Sequence, residues 1–152
     1  NQILLNNVLR TVTMTNYNYE IELSNATLKW IGLVYKLNYG QNNRKQLQNT
    51  ISNYTNSHTA KAEFFILKNH SLTTSLEYNE SIFNKQNFPN RFIDLKYRYK
   101  WDKKRIDFDL DYNNILNTKQ HQQVIITNIQ TTQTIYNIRP SQILVSIRFN
   151  FK

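Results

Sequence analysis

An all-β fold, an antiparallel up-and-down meander of about seven strands, is what this sequence predicts. Three observations carry that expectation. Apolar and polar residues alternate with period 2 over most of the chain, as side chains do on the two faces of a strand. No segment shows the 3.6-residue periodicity of an amphipathic helix. The stretch 91–114 reads as a hairpin in which one register satisfies both faces. Folded about Lys103-Lys104, it sets Trp101 opposite Ile106, Tyr99 opposite Phe108, Tyr97 opposite Leu110 and Leu95 opposite Tyr112. The other face then pairs Lys100 with Asp107, Arg98 with Asp109 and Lys96 with Asp111. Opposite charges across neighbouring strands stabilise, and a one-residue slip would undo both sets of pairs.

The other elements follow in order. Residues 1–10 are ambiguous between a strand end and a loop. The first strand places Thr15, Tyr17, Tyr19, Ile21 and Leu23 on one face and Asn16, Asn18, Glu20 and Glu22 on the other. A short turn at 24–26 leads to a second strand with Ile31, Leu33, Tyr35, Leu37 and Tyr39 on its apolar face. Residues 40–55 read as a long polar loop. The third strand, 57–67, sets Ala60, Ala62, Phe64 and Ile66 against Lys61, Glu63 and Phe65. After a turn at 68–70, the fourth sets Leu72, Thr74, Leu76 and Tyr78 against Ser71, Thr73, Ser75 and Glu77. A symmetric hairpin puts Ile66 opposite Leu72 and Lys61 opposite Glu77. Residues 79–90 read as a second long loop. The hairpin described above supplies the fifth and sixth strands. Residues 114–137 form a long excursion with its own hairpin near 128–131. The last strand, 141–151, carries Ile143, Val145, Ile147, Phe149 and Phe151 on one face. Tyr136 and Ile138 have the opposite parity, so a bulge near Pro140 is expected.

Composition narrows the function. The chain has 152 residues, no Cys, Tyr 10, Phe 8, Gly 2, Pro 2 and a formal net charge of +9. That length suits one domain, 1–152, with no internal boundary. Without Cys there is no disulfide, thiolate nucleophile or thiolate metal site. The positive charge is compatible with an anionic partner such as lipid, yet the basic residues alternate with acids and form no long basic run. No leader pattern is read after Asn1. No run approaches the ~20 apolar residues of a spanning helix, whereas a membrane β-barrel announces itself by alternation instead.

The apolar strand faces contain no charged residue. A soluble sandwich with one solvated face gives the same alternation, so a soluble β-sandwich binding module, for carbohydrate for example, stands as one alternative, and an outer-membrane barrel without transport, serving adhesion or structure, as another. Three features favour a transmembrane β-barrel. The connections alternate short and long, as in outer-membrane barrels. Aromatics collect at strand ends: Tyr17, Tyr39, Tyr78 and Tyr112 at the long-loop ends, Trp101 and Phe151 at the short-turn ends, as interfacial girdles require. The apolar stretches are about nine residues long, enough for a tilted strand to cross a bilayer. In that reading Tyr97, Tyr99, Phe108, Leu110 and Phe149 face lipid. The ladder Lys96, Arg98, Lys100, Asp107, Asp109 and Asp111 faces the lumen.

The blocks RYKWDKKRIDFDLDYNNILNTKQ and IYNIRPSQILVSIRFNFK resemble the C-terminal end of outer-membrane β-barrel proteins related to TonB-dependent receptors. The resemblance rests on the aromatic strand pair, then Asn113, Asn114, Ile115, Leu116, Asn117, Thr118 and Lys119, then Arg139 and Pro140. Ser141 stands where that family often has Arg. The resemblance implies a bacterial outer-membrane location and energised uptake of a ligand it does not identify. It implies partners: outer-membrane lipid, the remaining barrel strands, a plug domain not contained in this chain, the TonB system and the outer-membrane assembly machinery. Ile143, Val145, Ile147, Phe149 and Phe151 resemble the C-terminal assembly signal, from which Lys152 departs as a non-aromatic ending. Seven strands cannot close a single-chain bacterial barrel, which takes an even number. The chain is therefore read as part of a larger barrel, or as a piece completed by another chain.

Catalytic chemistry finds little footing. Asp107, Asp109 and Asp111 share a face but lie ~7 Å apart along a strand, each with a cation opposite. His58, His70 and His121 are scattered, and there is no HExxH, GxSxG or Gly-rich phosphate loop. In the stretch 96–101 the aromatics point away from the cations, so one surface cannot stack bases and hold phosphates together. No enzyme activity, cofactor, metal site or nucleic-acid partner is expected. The sequons at Asn25, Asn53, Asn69 and Asn79 are what an Asn-rich chain gives by chance. The loops 40–55, 79–90 and 114–137 are the expected ligand-facing parts.

Overall fold

The alternation does build an antiparallel meander. The computed structural model describes residues 2–5, 8–25, 28–46, 49–83, 85–127 and 130–151, with side chains described from residue 11 onward. Its strands are β1 (Gln2–Leu5), β2 (Val8–Ser24), β3 (Ile31–Gln46), β4 (Asn49–Leu67), β5 (His70–Phe83), β6 (Gln86–Trp101), β7 (Ile106–Asn113), β8 (Gln120–Ile126), β9 (Thr131–Asn137) and β10 (Gln142–Phe149). Among the described residues there is no helix. Eight strands form one sheet in the order β1-β2-β3-β4-β5-β6-β7-β10, and β8 and β9 pair separately. The large sheet does not close: β1 and β10 are its two edges.

Several expectations are corrected. The described residues of 40–55 and 79–90 are mostly strand, not loop. β3 and β4 stay paired out to Gln46↔Asn49, and β5 and β6 out to Phe83↔Gln86. β4 is 19 residues long, about 60 Å at ~3.3 Å per residue. The long connections are thus strand pairs extended past the apolar stretch. Residues 2–5 and 8–11 form a further pair, β1 with the start of β2. The excursion does contain the expected hairpin, β8–β9, which pairs Gln120 with Asn137 and Ile126 with Thr131; residues 128 and 129 of the expected turn lie outside the described residues. No bulge at Pro140 joins Tyr136 to the last strand, because β9 and β10 belong to different sheets. Lys61 lies opposite Ser75, not Glu77, and Leu72 opposite Phe64, not Ile66. A register shift between Phe65 and Leu67 accommodates the offset, as a bulge does.

Between β6 and β7 the expected register holds at all seven pairs, from Leu95↔Tyr112 to Trp101↔Ile106. The connection is four residues, not a two-residue turn. Lys104 N donates to Trp101 O at 3.0 Å and Arg105 N to Asp102 O at 3.2 Å. Arg105 takes φ 55°, the left-handed conformation that ends such a turn without a glycine.

The register defines two faces. One carries Glu22, Lys36, Glu63, Glu77, Lys96, Asp109 and Arg148: the charged face. The other carries Ile21, Leu37, Ala60, Leu76, Ile93, Leu110 and Val145: the apolar face. The β8–β9 hairpin lies on the charged face at the end where β3–β4 and β5–β6 extend. Arg44 Nη1 donates to Thr127 O at 3.0 Å, and Asn53 Nδ2 to Val124 O at 3.3 Å. Val12, Val124 and Ile126 are buried, as are Arg44 and Asn53. The segment 114–118 fixes the base of the excursion. Asn114 Nδ2 donates to both Thr118 O and Arg139 O at 2.9 Å, and Asn114 Oδ1 accepts from Thr118 N at 2.9 Å. Asn114 and Asn117 take positive φ, 51° and 52°, which Asn tolerates better than most residues.

Candidate functional site: a charge ladder and an apolar face

The ladder is built by register, and its centre is Asp109. Arg98 grips that carboxylate with two parallel bonds, Nε to Oδ1 at 2.7 Å and Nη2 to Oδ2 at 2.9 Å, the fork geometry that makes such pairs strong. Lys96 Nζ lies 3.3 Å from Asp109 Oδ2 and 3.1 Å from Asp111 Oδ1. From β10, Arg148 Nη2 approaches Asp109 at 3.9 Å. The network therefore spans three strands, which the pairwise sequence reading did not foresee. Register puts Arg148 opposite Asp107, one step along from Asp109 on the same face, and its side chain reaches the buried carboxylate diagonally. Asp109 is buried to 5 % exposure although no element of the sheet covers it; the long cationic side chains do.

The third expected pair is aligned but not joined. Lys100 and Asp107 are register partners, yet among the described residues no ion pair links them. Lys100 instead lines a cavity at the short-turn end. A separate rung, Lys36 Nζ to Glu22 at 2.9 Å, connects β2 and β3, with both side chains largely exposed. Among the described residues no three His, Cys, Asp or Glu side chains gather to hold a metal ion.

The apolar face carries the aromatic residues named from sequence. Tyr99 stacks on Phe108 at 6.1 Å, and Tyr39 neighbours Tyr19 at 6.3 Å. Tyr78 contacts His58 at 6.0 Å and receives Arg91 over its ring at 5.5 Å. Tyr112 sits between Leu95 and Ile143 in register. Trp101, Phe149 and Phe151 are exposed at the short-turn end. Ile143, Val145, Ile147 and Phe149 line one side of the edge strand β10. Along each strand this face changes character. Toward the extended end, beyond Tyr19, Tyr39 and Tyr78, it carries Lys45, Thr50, Asn56, Glu80 and Asn87; on the other side it carries Leu, Ile, Ala, Phe and Tyr. Two residues that the sequence reading left unassigned belong here. The His58 Nδ1 and Tyr35 hydroxyl lie 2.6 Å apart, as do His70 Nδ1 and the Tyr97 hydroxyl. Each pairs the polar tip of one ring with the other.

Val145 is 72 % exposed, Ile143 64 % and Leu23 60 %, while the buried residues include Asp109, Asn90, Asn53 and Arg44 beside Val12, Ile31, Val124 and Ile126. Comparison with family models, with curated proteins and with solved structures finds no match.

Proposed function

We propose that this chain is a non-enzymatic wall segment of a bacterial outer-membrane β-barrel, of the type found in TonB-dependent transporters. The breadth of the exposed apolar face carries the reading. A soluble monomer rarely exposes a contiguous apolar area of more than a few hundred Å², whereas here six adjacent strands and β10 expose theirs together. In lipid that face is where it is most stable, at about 25 cal/mol per Å² removed from water. The tyrosines where the face turns polar, and Trp101 and Phe149 at the other end, sit where amphipathic rings prefer headgroup depth. The extended strand pairs and the β8–β9 hairpin then project on the external side, and the ladder lines the lumen.

The direction of the strands supports the same reading. The four-residue β1 covers only Val8–Thr11 of β2; the other seven strands of the sheet alternate, so β2 and β10 run the same way. An antiparallel wall closes only when an odd number of further strands stands between them. Unpaired backbone groups at an edge in lipid cost several kcal/mol each, so those strands come from elsewhere in the protein or from another chain. Transport of a ligand and coupling to TonB follow from the sequence resemblance.

The test is insertion. Tyr97→Asp and Leu110→Lys place charge at the middle of the apolar face and are expected to abolish partition into lipid vesicles, at about 2–4 kcal/mol for a midplane cation. Thr73→Lys, on the opposite face of β5, is expected to insert as wild type. A wild-type chain that stays monomeric and soluble in plain buffer, with Tyr97 and Leu110 shielded from water, would overturn the reading.

A further inference from the structure

The charged face ends, at the short turns, in a cavity of about 480 Å³ whose basic residues come from three separate parts of the chain, with Glu63 and Phe65 of β4 beside them. The β2–β3 connection supplies Lys29 and Trp30, the β4–β5 turn supplies Lys68, and the end of β6 supplies Arg98 and Lys100. Two backbone bonds tie these pieces together: Phe65 N to Trp30 O at 2.9 Å and Lys100 N to Asn69 O at 2.8 Å. The register shift at Phe65/Leu67 lies at this wall. Four cations meet one carboxylate there, Glu63. Arg98 is committed to Asp109, while among the described residues Lys29, Lys68 and Lys100 form no ion pair.

We infer that this cavity binds the phosphate group of a phosphate ester. Three lysines without an ion pair among the described residues line one space that holds a single carboxylate, and such an excess of positive charge favours an anion. Lysines are rotatable point charges without the planar fork that matches a carboxylate. Three of them, from three parts of the chain, suit an anion with several oxygens. The cavity exceeds the needs of bare phosphate, and Trp30 and Phe65 give it an apolar wall against which the ester's body rests. The ester can be a soluble metabolite or a lipid headgroup; the chemistry at the lysines is the same. The site depends on the charged face alone, so it stands or falls independently of what meets the apolar face.

Trp30 is the reporter. The chain has two tryptophans, and Trp101→Phe leaves Trp30 as the sole fluorophore. In that background, inorganic phosphate at constant ionic strength, or vesicles containing phosphatidylglycerol against phosphatidylcholine alone, is expected to change Trp30 emission saturably. Lys68→Gln with Lys100→Gln is expected to weaken the response about tenfold, as losing two close charge contacts does. Lys103→Gln with Lys104→Gln, which removes the same charge outside the cavity, is expected to leave it unchanged. Glu63→Gln is expected to tighten it. A response to phosphate without one to vesicles assigns a soluble ester, and the converse a lipid; both sustain the site. No saturable response to either probe, or equal weakening by the two double variants, overturns it.

Discussion

Asp109 shows how much one side chain can depend on its neighbours. Its carboxylate is buried on an open sheet face only because Arg98, Lys96 and Arg148 lie over it. Arg98→Ala removes two charge-assisted bonds and leaves the carboxylate to Lys96 and the more distant Arg148, so a stability loss of about 2 kcal/mol is expected in urea titration. Lys36→Gln, at an exposed rung, is expected to leave the midpoint unchanged. Gly40 makes a similar point sterically. A Cβ there would come within 2.5 Å of Thr55 Oγ1 and 3.1 Å of Asn18 Oδ1, so Gly40→Ala must displace the Thr55 side chain. The Arg98–Asp109 and Lys96–Asp111 pairs were legible in the sequence because both faces of the hairpin demanded one register. Arg148 was not, because no local pattern says which strand the chain's last strand joins. Nor was the fate of Lys100, whose surroundings come from two turns distant in sequence.

Strands were legible where their two faces differ. In β6 and β7, cations and acids face aromatics and aliphatics, and every pair came out in the expected register. In 40–55 both parities are polar: Gln41 and Asn43 alternate with Asn42 and Arg44. The contrast that reveals a strand vanishes there, although the backbone ladder continues. The β8–β9 hairpin was foreseen as a hairpin but not as one folded onto the charged face, since its contacts are to residues some 70 to 90 positions away. Its hold is imperfect: Arg44 Nε and Asn53 Oδ1 are buried without a hydrogen-bond partner, and Arg44 has no acidic partner among the described residues. A buried cation without a counter-charge is costly, and an apolar side chain of similar size often replaces it without loss. Arg44→Met is therefore expected to slow hydrogen exchange of the β8 and β9 amides or leave it unchanged. Asn114→Ala, which removes the clamp on both legs of the excursion, is expected to accelerate it. Faster exchange in Arg44→Met would show the guanidinium to be a net stabiliser of the hairpin.

At the scale of the whole molecule, one face of the sheet leaves a broad set of large apolar side chains exposed. The strand pairs, the ladder and the aromatic rows each have a local explanation; the exposed apolar face and the two unpaired edges do not. The proposed bilayer on that face, with further strands beside β10 and beside the part of β2 that β1 leaves uncovered, would account for both at once. Alternation does not separate that proposal from a soluble sandwich, because periodicity reports that two faces differ and is silent on which one is wet. The most direct measurement uses β5, whose neighbours β4 and β6 fix it on both sides. The natural sequence has no cysteine, so single cysteines at positions 71 to 76 can each carry a spin label in the protein reconstituted into bilayers. Labels at Leu72, Thr74 and Leu76 should collide with oxygen dissolved in lipid and be shielded from a water-soluble nickel complex, while those at Ser71, Thr73 and Ser75 should not show that preference. Access of the nickel complex to 72, 74 and 76, or the absence of any two-residue period, would contradict a lipid-facing sheet.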